Sequence, residues 1–127
     1  KMAHSGAVKF TGRIDYKKIP LYLRAVDVVV IPLPEGQHSI TTSPIKLFEY
    51  LAAGKPIIAS DLPSLREILT EETATFFEPD NSQSLAESVK FALNNPDAAA
   101  QKAEQAYLKA RGYTWEKRAE NILKFIQ

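Results

Sequence analysis

The segment Asp27–Asp61 reads DVVVIPLPEGQHSITTSPIKLFEYLAAGKPIIASD and predicts a strand, a loop, a helix and a second strand in that order. Asp27–Ile31 is β-branched and apolar after its aspartate, which is typical of a strand buried on both faces. Pro44–Ala53 carries apolar residues at helical spacing, and Gly54 follows where a left-handed residue ends a helix. Pro56–Ser60 is the second strand.

Similar segments lie on both sides of this stretch. The pattern predicts strands at Val8–Thr11 and Ala74–Glu78, and helices at Tyr16–Ala25 and Pro63–Leu69. Strand and helix alternation at this spacing predicts an α/β fold, a Rossmann-like parallel sheet with helices on both faces. In such sheets ligands bind at the carboxyl ends of the strands.

Helix-start signals mark the later part of the chain, which is predicted to be helical to its C-terminus. Ser64 and Glu67 have the spacing of a capping box. Three further helix starts are predicted at cap residues, namely Asn81 or Ser82, Asn95 followed by Pro96, and Thr114.

The composition excludes several classes of function. The 127 residues are 45% hydrophobic and 24% charged, which fits one globular domain rather than a disordered chain. A net charge of +1 indicates no general attraction for nucleic acid. The absence of cysteine excludes disulfides and thiol catalysis and is compatible with a reducing cytoplasm.

The loop and helix start inside the first segment carry the candidate chemistry. Free backbone amides at a helix start attract phosphate, and Thr41, Thr42 and Ser43 add hydroxyl donors there. Lys46 can neutralise a diphosphate, and Glu49, three residues later, can accept hydrogen bonds from the vicinal hydroxyls of a ribose. An ordinary helix start with a solvated Lys/Glu pair explains these residues equally well, so both interpretations stay open here.

A series of short motifs runs through nearly the whole chain in a fixed order. They are Phe10-Thr11-Gly12, Ala25-Val26-Asp27-Val28, Glu49-Tyr50-Leu51-Ala52-Ala53-Gly54-Lys55-Pro56, Ile57-Ile58-Ala59-Ser60, Arg66-Glu67-Ile68 and Tyr113-Thr114-Trp115. Together they resemble the C-terminal, donor-binding domain of retaining glycosyltransferases of the GT-B fold, the large glycosyl transferases group 1 family.

The resemblance implies roles for individual residues. Glu49 matches the glutamate that holds the donor ribose. The family's first glutamate falls at Thr41, a departure that resembles a subgroup with Ser-Pro-x-Lys-x-x-Glu-Tyr. Gly12 and Arg13 match the loop that the nucleobase approaches, where glycine permits close contact and Arg13 can border the base. For Arg13, a solvated surface arginine is the alternative.

The resemblance also implies a domain organisation. Residues 1–127 correspond to the later part of a single Rossmann-like nucleotide-sugar-binding domain. The N-terminal acceptor domain, and two strands and two helices before Val8, are expected elsewhere in a longer protein. The last helix is expected to pack on that other domain, which leaves an apolar stripe exposed here. The chain alone is expected to bind donor weakly and to transfer nothing.

The implied function is retaining, metal-independent transfer of a sugar to a saccharide or lipid-linked acceptor in polysaccharide or glycoconjugate synthesis. The donor is a UDP-, GDP- or similar sugar and no cofactor is needed. A cytoplasmic protein with peripheral association at the inner face of the membrane is expected. The alternatives are a GT-B sugar-nucleotide epimerase and a non-catalytic nucleotide-sugar-binding or interaction module, which Thr41 favours.

Overall fold

The structure, a computed structural model, describes residues 6–37 and 45–127. Strands and helices alternate in the first part, and helices alone follow. In chain order the elements are a short 3₁₀ helix Tyr16–Lys18, α1 Ile19–Ala25, β1 Val29–Ile31, α2 Ile45–Ala53, β2 Ile57–Ser60, α3 Pro63–Arg66, β3 Thr75–Phe77, α4 Ser82–Asn94, α5 Pro96–Ala110 and α6 Trp115–Ile126.

The three strands form one parallel sheet in the order β1-β2-β3. Val29 is in register with Ile57, and Ala59 with Phe76. Parallel neighbours require crossover connections, and α2 and α3 lie in those connections. The predicted fold class is confirmed, and each of these three strands is shorter at its ends than the pattern predicts.

The predicted strand at Val8–Thr11 is wrong. No strand is assigned to these residues, and Val8 is 47% exposed and Phe10 80% exposed. A strand needs ladder hydrogen bonds to a neighbour, and across residues 6–37 and 45–127 the sheet consists of β1, β2 and β3. An apolar pattern predicts an extended segment, but it cannot supply the partner strand.

Helices cover both faces of the sheet, as predicted. Because alternate residues of a strand point to opposite faces, Ile57 and Ala59 join one core cluster while Ile58 joins the other. The first cluster includes residues of α2 and α3, and the second includes residues of α4. α5 reaches both clusters, with Ala106 in the first and Ala99 in the second.

Most of the predicted helix ends are confirmed. The Asn81 side chain accepts a hydrogen bond from the amide of Ser84 at 2.9 Å, which satisfies a free donor at the start of α4. At the start of α6, the Thr114 hydroxyl oxygen accepts a hydrogen bond from the amide of Lys117 at 3.2 Å. Pro96 opens α5. Gly54 ends α2 with a φ of 66°, the left-handed conformation that favours glycine.

The capping box at Ser64 and Glu67 is wrong. α3 begins at Pro63, its N-cap is Leu62, and no side chain caps it. Proline fits the first helical position because it has no amide hydrogen to satisfy. The helix therefore starts two residues too early for Ser64 to act as the cap, and Ser64 is buried inside it.

The last helix, α6, lies apart from the core. All of its residues are exposed, and Trp115 is 79%, Phe125 92% and Ile126 70% exposed. The exposed apolar stripe expected for this helix is therefore present. In the part of the chain that the structure describes, no helix has both the length and the apolar character needed to cross a bilayer.

Candidate functional site

Open parallel sheets bind ligands at the edge where the strands end. Three loops leave this edge. They comprise residues 32–36, 61–62 and 78–81. The Asp61 amide donates to the Phe77 carbonyl at 2.8 Å, so the loops after β2 and β3 begin side by side.

A groove of about 420 Å³ runs beside β1, between α1 and α2. Lys46, Glu49 and Tyr50 of α2 line it, together with Tyr22 of α1 and Val28–Val30. The structure therefore brings Lys46 and Glu49 into one groove, as their spacing on a helix predicts.

Helix α2 presents these two residues because its other face is anchored in the core. Leu47 and Leu51 are 0% exposed and pack in the cluster that contains Ile57. At 100° per residue, Lys46 and Glu49 lie on the side of the helix away from Leu47 and Leu51. The apolar spacing of α2 thus fixes which side faces the groove.

The charges in the groove are available to a ligand. In residues 6–37 and 45–127, the salt bridges are those of Arg66, so Lys46 and Glu49 do not pair with each other. Burial raises the pKa of the neighbouring Tyr50 phenol above its usual value, and the Glu49 carboxylate raises it further. Tyr50 is therefore a neutral phenol at pH 7, with a proton to donate.

Gly12 and Arg13 are exposed and do not line this groove. Gly12 has a φ of 66°, so the turn itself requires glycine there. A Cβ added at Gly12 would meet no atom within 4 Å, so the backbone is open to an approaching ligand. The proposed position of Gly12 and Arg13 beside the nucleobase stays a prediction.

The predicted hydroxyl donors Thr41, Thr42 and Ser43 lie outside the described residues. Their sequence position between the β1 loop and α2 keeps them part of the prediction.

Two residues that sequence reasoning missed hold the β1 loop at this edge. Ser60 Oγ, fully buried, donates to the Leu33 carbonyl at 2.7 Å. Asp80 Oδ2 accepts from the Glu35 amide at 2.9 Å. A polar residue at the end of an otherwise apolar strand is the signal that marks Ser60. No local pattern marks Asp80.

A charged cluster lies beside this edge around Arg66. Its Nε and Nη2 donate to the two carboxylate oxygens of Asp61 at 2.7 and 3.0 Å, and its Nη1 donates to Glu71 at 2.7 Å. The guanidinium carbon is 3.5 Å from the centre of the Phe76 ring. The hydrogen bond from Arg66 lowers the pKa of Asp61. All three guanidinium nitrogens donate hydrogen bonds within the protein, so we interpret the cluster as structural.

Replacing Arg66 with methionine should lower the free energy of unfolding by about 1–3 kcal/mol at pH 7. The change removes two exposed ion pairs of about 0.2–1 kcal/mol each and a cation–π contact of about 0.5–1 kcal/mol. The pKa of Asp61 is lower in the folded protein than in the unfolded chain. The stability that Asp61 contributes is therefore fully present above the unfolded pKa of about 3.9, and it is lost as the pH falls through the folded pKa.

Urea unfolding of wild type and variant at about pH 7 and about pH 3 measures this difference, which should shrink at the lower pH. Arg66→Lys is the matched control, since it keeps the charge but loses the two-pronged bond. If the difference in the free energy of unfolding between wild type and Arg66→Met grows toward low pH, the Arg66–Asp61 ion pair is not its cause.

A larger groove, of about 640 Å³, lies at the opposite end of the sheet. Asp27 and Pro56, which precede β1 and β2, line it together with an alanine-rich face of α5. The larger groove is at the amino ends of the strands, where open parallel sheets do not bind ligands. We assign the site to the smaller groove because Lys46 and Glu49 line it. Within the described ranges, no three His, Cys, Asp or Glu side chains gather where they could hold a metal ion.

Several known proteins are similar to this chain in sequence. The sequence profile described as "Glycosyl transferases group 1" matches residues 3–109. TuaH of Bacillus subtilis (strain 168), a protein assigned to teichuronic acid biosynthesis as a glycosyltransferase, is 34% identical over 74 residues, 58% of this chain and 19% of TuaH. Phosphatidyl-myo-inositol mannosyltransferase of Mycobacterium leprae (strain TN) is 29% identical over 122 residues, 94% of this chain and 31% of that protein.

Solved structures share the fold. Sucrose-phosphate synthase of Thermosynechococcus elongatus has a TM-score of 0.77 at 25% identity, covering 93% of this chain and 29% of that one. Anabaena HepE, solved with UDP and glucose, has a TM-score of 0.75 at 21% identity, covering 96% and 32%. The chain spans between 19% and 31% of the length of the two curated relatives. With a profile match over most of its length and this architecture, the chain belongs to the glycosyl transferases group 1 family and has the Rossmann-like fold of GT-B glycosyltransferases.

Proposed function

We propose that this chain is the later part of the donor-binding domain of a longer glycosyltransferase. The enzyme transfers a sugar from a nucleotide-diphosphate sugar to a saccharide or lipid-linked acceptor, with retention and without a metal ion. The observation that carries the proposal is that Lys46 and Glu49, unpaired with each other, line one groove beside β1 in a chain of this family.

Each residue of the proposed site has one task. The Glu49 carboxylate accepts hydrogen bonds from the ribose hydroxyls. Lys46, with Thr41, Thr42 and Ser43, neutralises and holds the diphosphate, while Gly12 and Arg13 border the base. The chemical contribution of this half is electrostatic, because positive charge held near the leaving diphosphate stabilises the negative charge that develops during transfer.

The rest of the protein completes the site. We propose that two strands preceding Val8 pair along the free edge of β1 and cover Val28–Val30. The end of the groove that carries Lys46 and Glu49 then stays open to the donor. The acceptor domain closes the cleft from the other side and excludes water from the reaction.

The names of two relatives support a proposal for the class of acceptor. One is a mannosyltransferase named for phosphatidyl-myo-inositol and one is assigned to teichuronic acid biosynthesis, a lipid and a polysaccharide respectively. We propose that the acceptor is a saccharide or lipid-linked molecule and that the reaction takes place in the cytoplasm, with peripheral association at the inner face of the membrane. We propose that no cofactor is needed besides the nucleotide-sugar donor and the acceptor.

Calorimetric titration of UDP and GDP into the full-length protein tests the proposal. We expect one of the two nucleotides to bind and the matching nucleoside to bind more weakly, since the diphosphate supplies the charge that Lys46 meets. Binding of neither nucleotide at millimolar concentration would support an interaction module instead. Conversion of a sugar nucleotide to its epimer without acceptor would support the epimerase.

A further inference from the structure

The loop that leaves β1, residues 32–36, is held by one side chain at the end of β2 and one in the loop after β3. Ser60 at the end of β2 donates to the Leu33 carbonyl at 2.7 Å and lies 3.2 Å from the Ile31 carbonyl. Asp80, in the loop after β3, accepts from the Glu35 amide at 2.9 Å. These bonds tie the β1 loop to the ends of β2 and β3.

The composition of the loop explains why it needs outside support. Pro32 and Pro34 have no amide hydrogen, so two backbone donors are missing from a short loop. The loop is instead held through its Leu33 carbonyl and its Glu35 amide. Ser60 is 0% exposed, so water does not compete for its hydroxyl.

The backbone of Asp80 is in an unfavourable conformation. Its φ is 57°, and across residues 6–37 and 45–127 it is the one non-glycine residue with a positive φ. Glycine would adopt this conformation freely, whereas a residue with a side chain persists there only when its surroundings hold it. The hydrogen bond to the Glu35 amide accounts for aspartate at this position, because glycine could not make it.

We propose that Asp80, assisted by Ser60, is a positioning residue for the nucleotide site. The loop it holds runs, in sequence, into the segment before α2, which carries Lys46 and Glu49. A small displacement of such a loop misplaces the groups that meet the ligand. This inference rests on the proposed function, since it requires the donor to bind at this edge.

The test compares Asp80→Gly and Asp80→Asn in the full-length protein. Glycine removes the acceptor and tolerates the backbone angle, while asparagine keeps an acceptor oxygen and also tolerates it. We expect Asp80→Gly to weaken binding of UDP or GDP, whichever the wild type binds, by about tenfold, and Asp80→Asn to restore wild-type affinity. Glu78→Ala is the control, because Glu78 accepts from Asn81 within its own loop.

Amide hydrogen exchange at Glu35 provides a readout that does not depend on nucleotide binding. Exchange should accelerate in Asp80→Gly and stay at the wild-type rate in Asp80→Asn. Faster exchange with unchanged nucleotide affinity would overturn the positioning role, as would equal loss of affinity in both variants or a loss that parallels a fall in Tm. If wild type binds neither nucleotide, the proposed function fails first, and the exchange result still shows whether the bond exists.

Discussion

Replacing Glu49 with alanine should weaken binding of the donor nucleotide by about 1–3 kcal/mol, a factor of roughly 5 to 150. Glu49 lies half-buried in the groove beside β1, and no salt bridge within the described residues neutralises it. A carboxylate there can accept hydrogen bonds from two vicinal hydroxyls at once. Alanine would leave both hydroxyls without a charged partner.

A nucleotide that lacks those hydroxyls makes the test specific. Calorimetry should show that wild type binds the 2′,3′-dideoxy form of its nucleotide more weakly than the ribose form. Glu49→Ala should bind the two forms equally, because the partner of the hydroxyls is already gone. If wild type and Glu49→Ala lose the same amount of affinity for the dideoxy form relative to the ribose form, Glu49 does not contact the ribose.

The control variant removes a carboxylate from elsewhere on the surface. Glu87 is exposed on α4 and accepts from Gln83 on its own helix at 3.1 Å. Glu87→Ala should bind both forms of the nucleotide as wild type does. A comparable loss in Glu87→Ala would indicate a general charge effect rather than a contact with ribose.

Replacing Leu51 with alanine should lower the free energy of unfolding by about 2–5 kcal/mol. Leu51 is 0% exposed and packs in one core cluster with Ile57 and Ala106. Truncation to alanine removes apolar surface that folding buries, and it also leaves a cavity. Because α2 holds Lys46 and Glu49 in the groove, loss of this anchor should also loosen the site. Amide hydrogen exchange of the β2 residues measures the effect, since it reports the opening of the core.

Ile45 on the same helix is the matched control. It is also a large aliphatic residue, but 80% of it is exposed. Ile45→Ala should therefore change the free energy of unfolding by no more than about 0.5 kcal/mol. Similar destabilisation by both variants would contradict the assignment of Leu51 as the buried anchor, because alanine is the strongest helix former and propensity cannot destabilise either variant.

The periodic segments of this chain were predictable because their signals are local. A β-branched run that ends at Pro32 predicts β1, and the apolar spacing of α2 predicts its buried side. Caps such as Asn81 and Thr114 act on amides three residues away, so sequence neighbours decide them. The placement of Lys46 and Glu49 is also a local feature, because helical spacing alone brings them to one side of α2.

Predictions that needed a distant partner were wrong or absent. Val8–Thr11 has strand composition, yet no strand pairs with it in the residues that the structure describes. Arg66 was matched to a family motif, but its contacts with Asp61, Glu71 and Phe76 depend on how β2 and β3 lie together. Its structural role could not be inferred from spacing.

The sequence by itself determined the α/β class, the parallel sheet, most of the helix ends and the placement of Lys46 and Glu49 on one side of a helix. Only the tertiary structure decided that Ser60 and Asp80 hold the β1 loop, and that Gly12 and Arg13 stand apart from the groove. The bonds to Leu33 and Glu35 join residues 27 and 45 positions apart in the chain. Such bonds form because the sheet order places strand ends side by side, and no local pattern encodes that order.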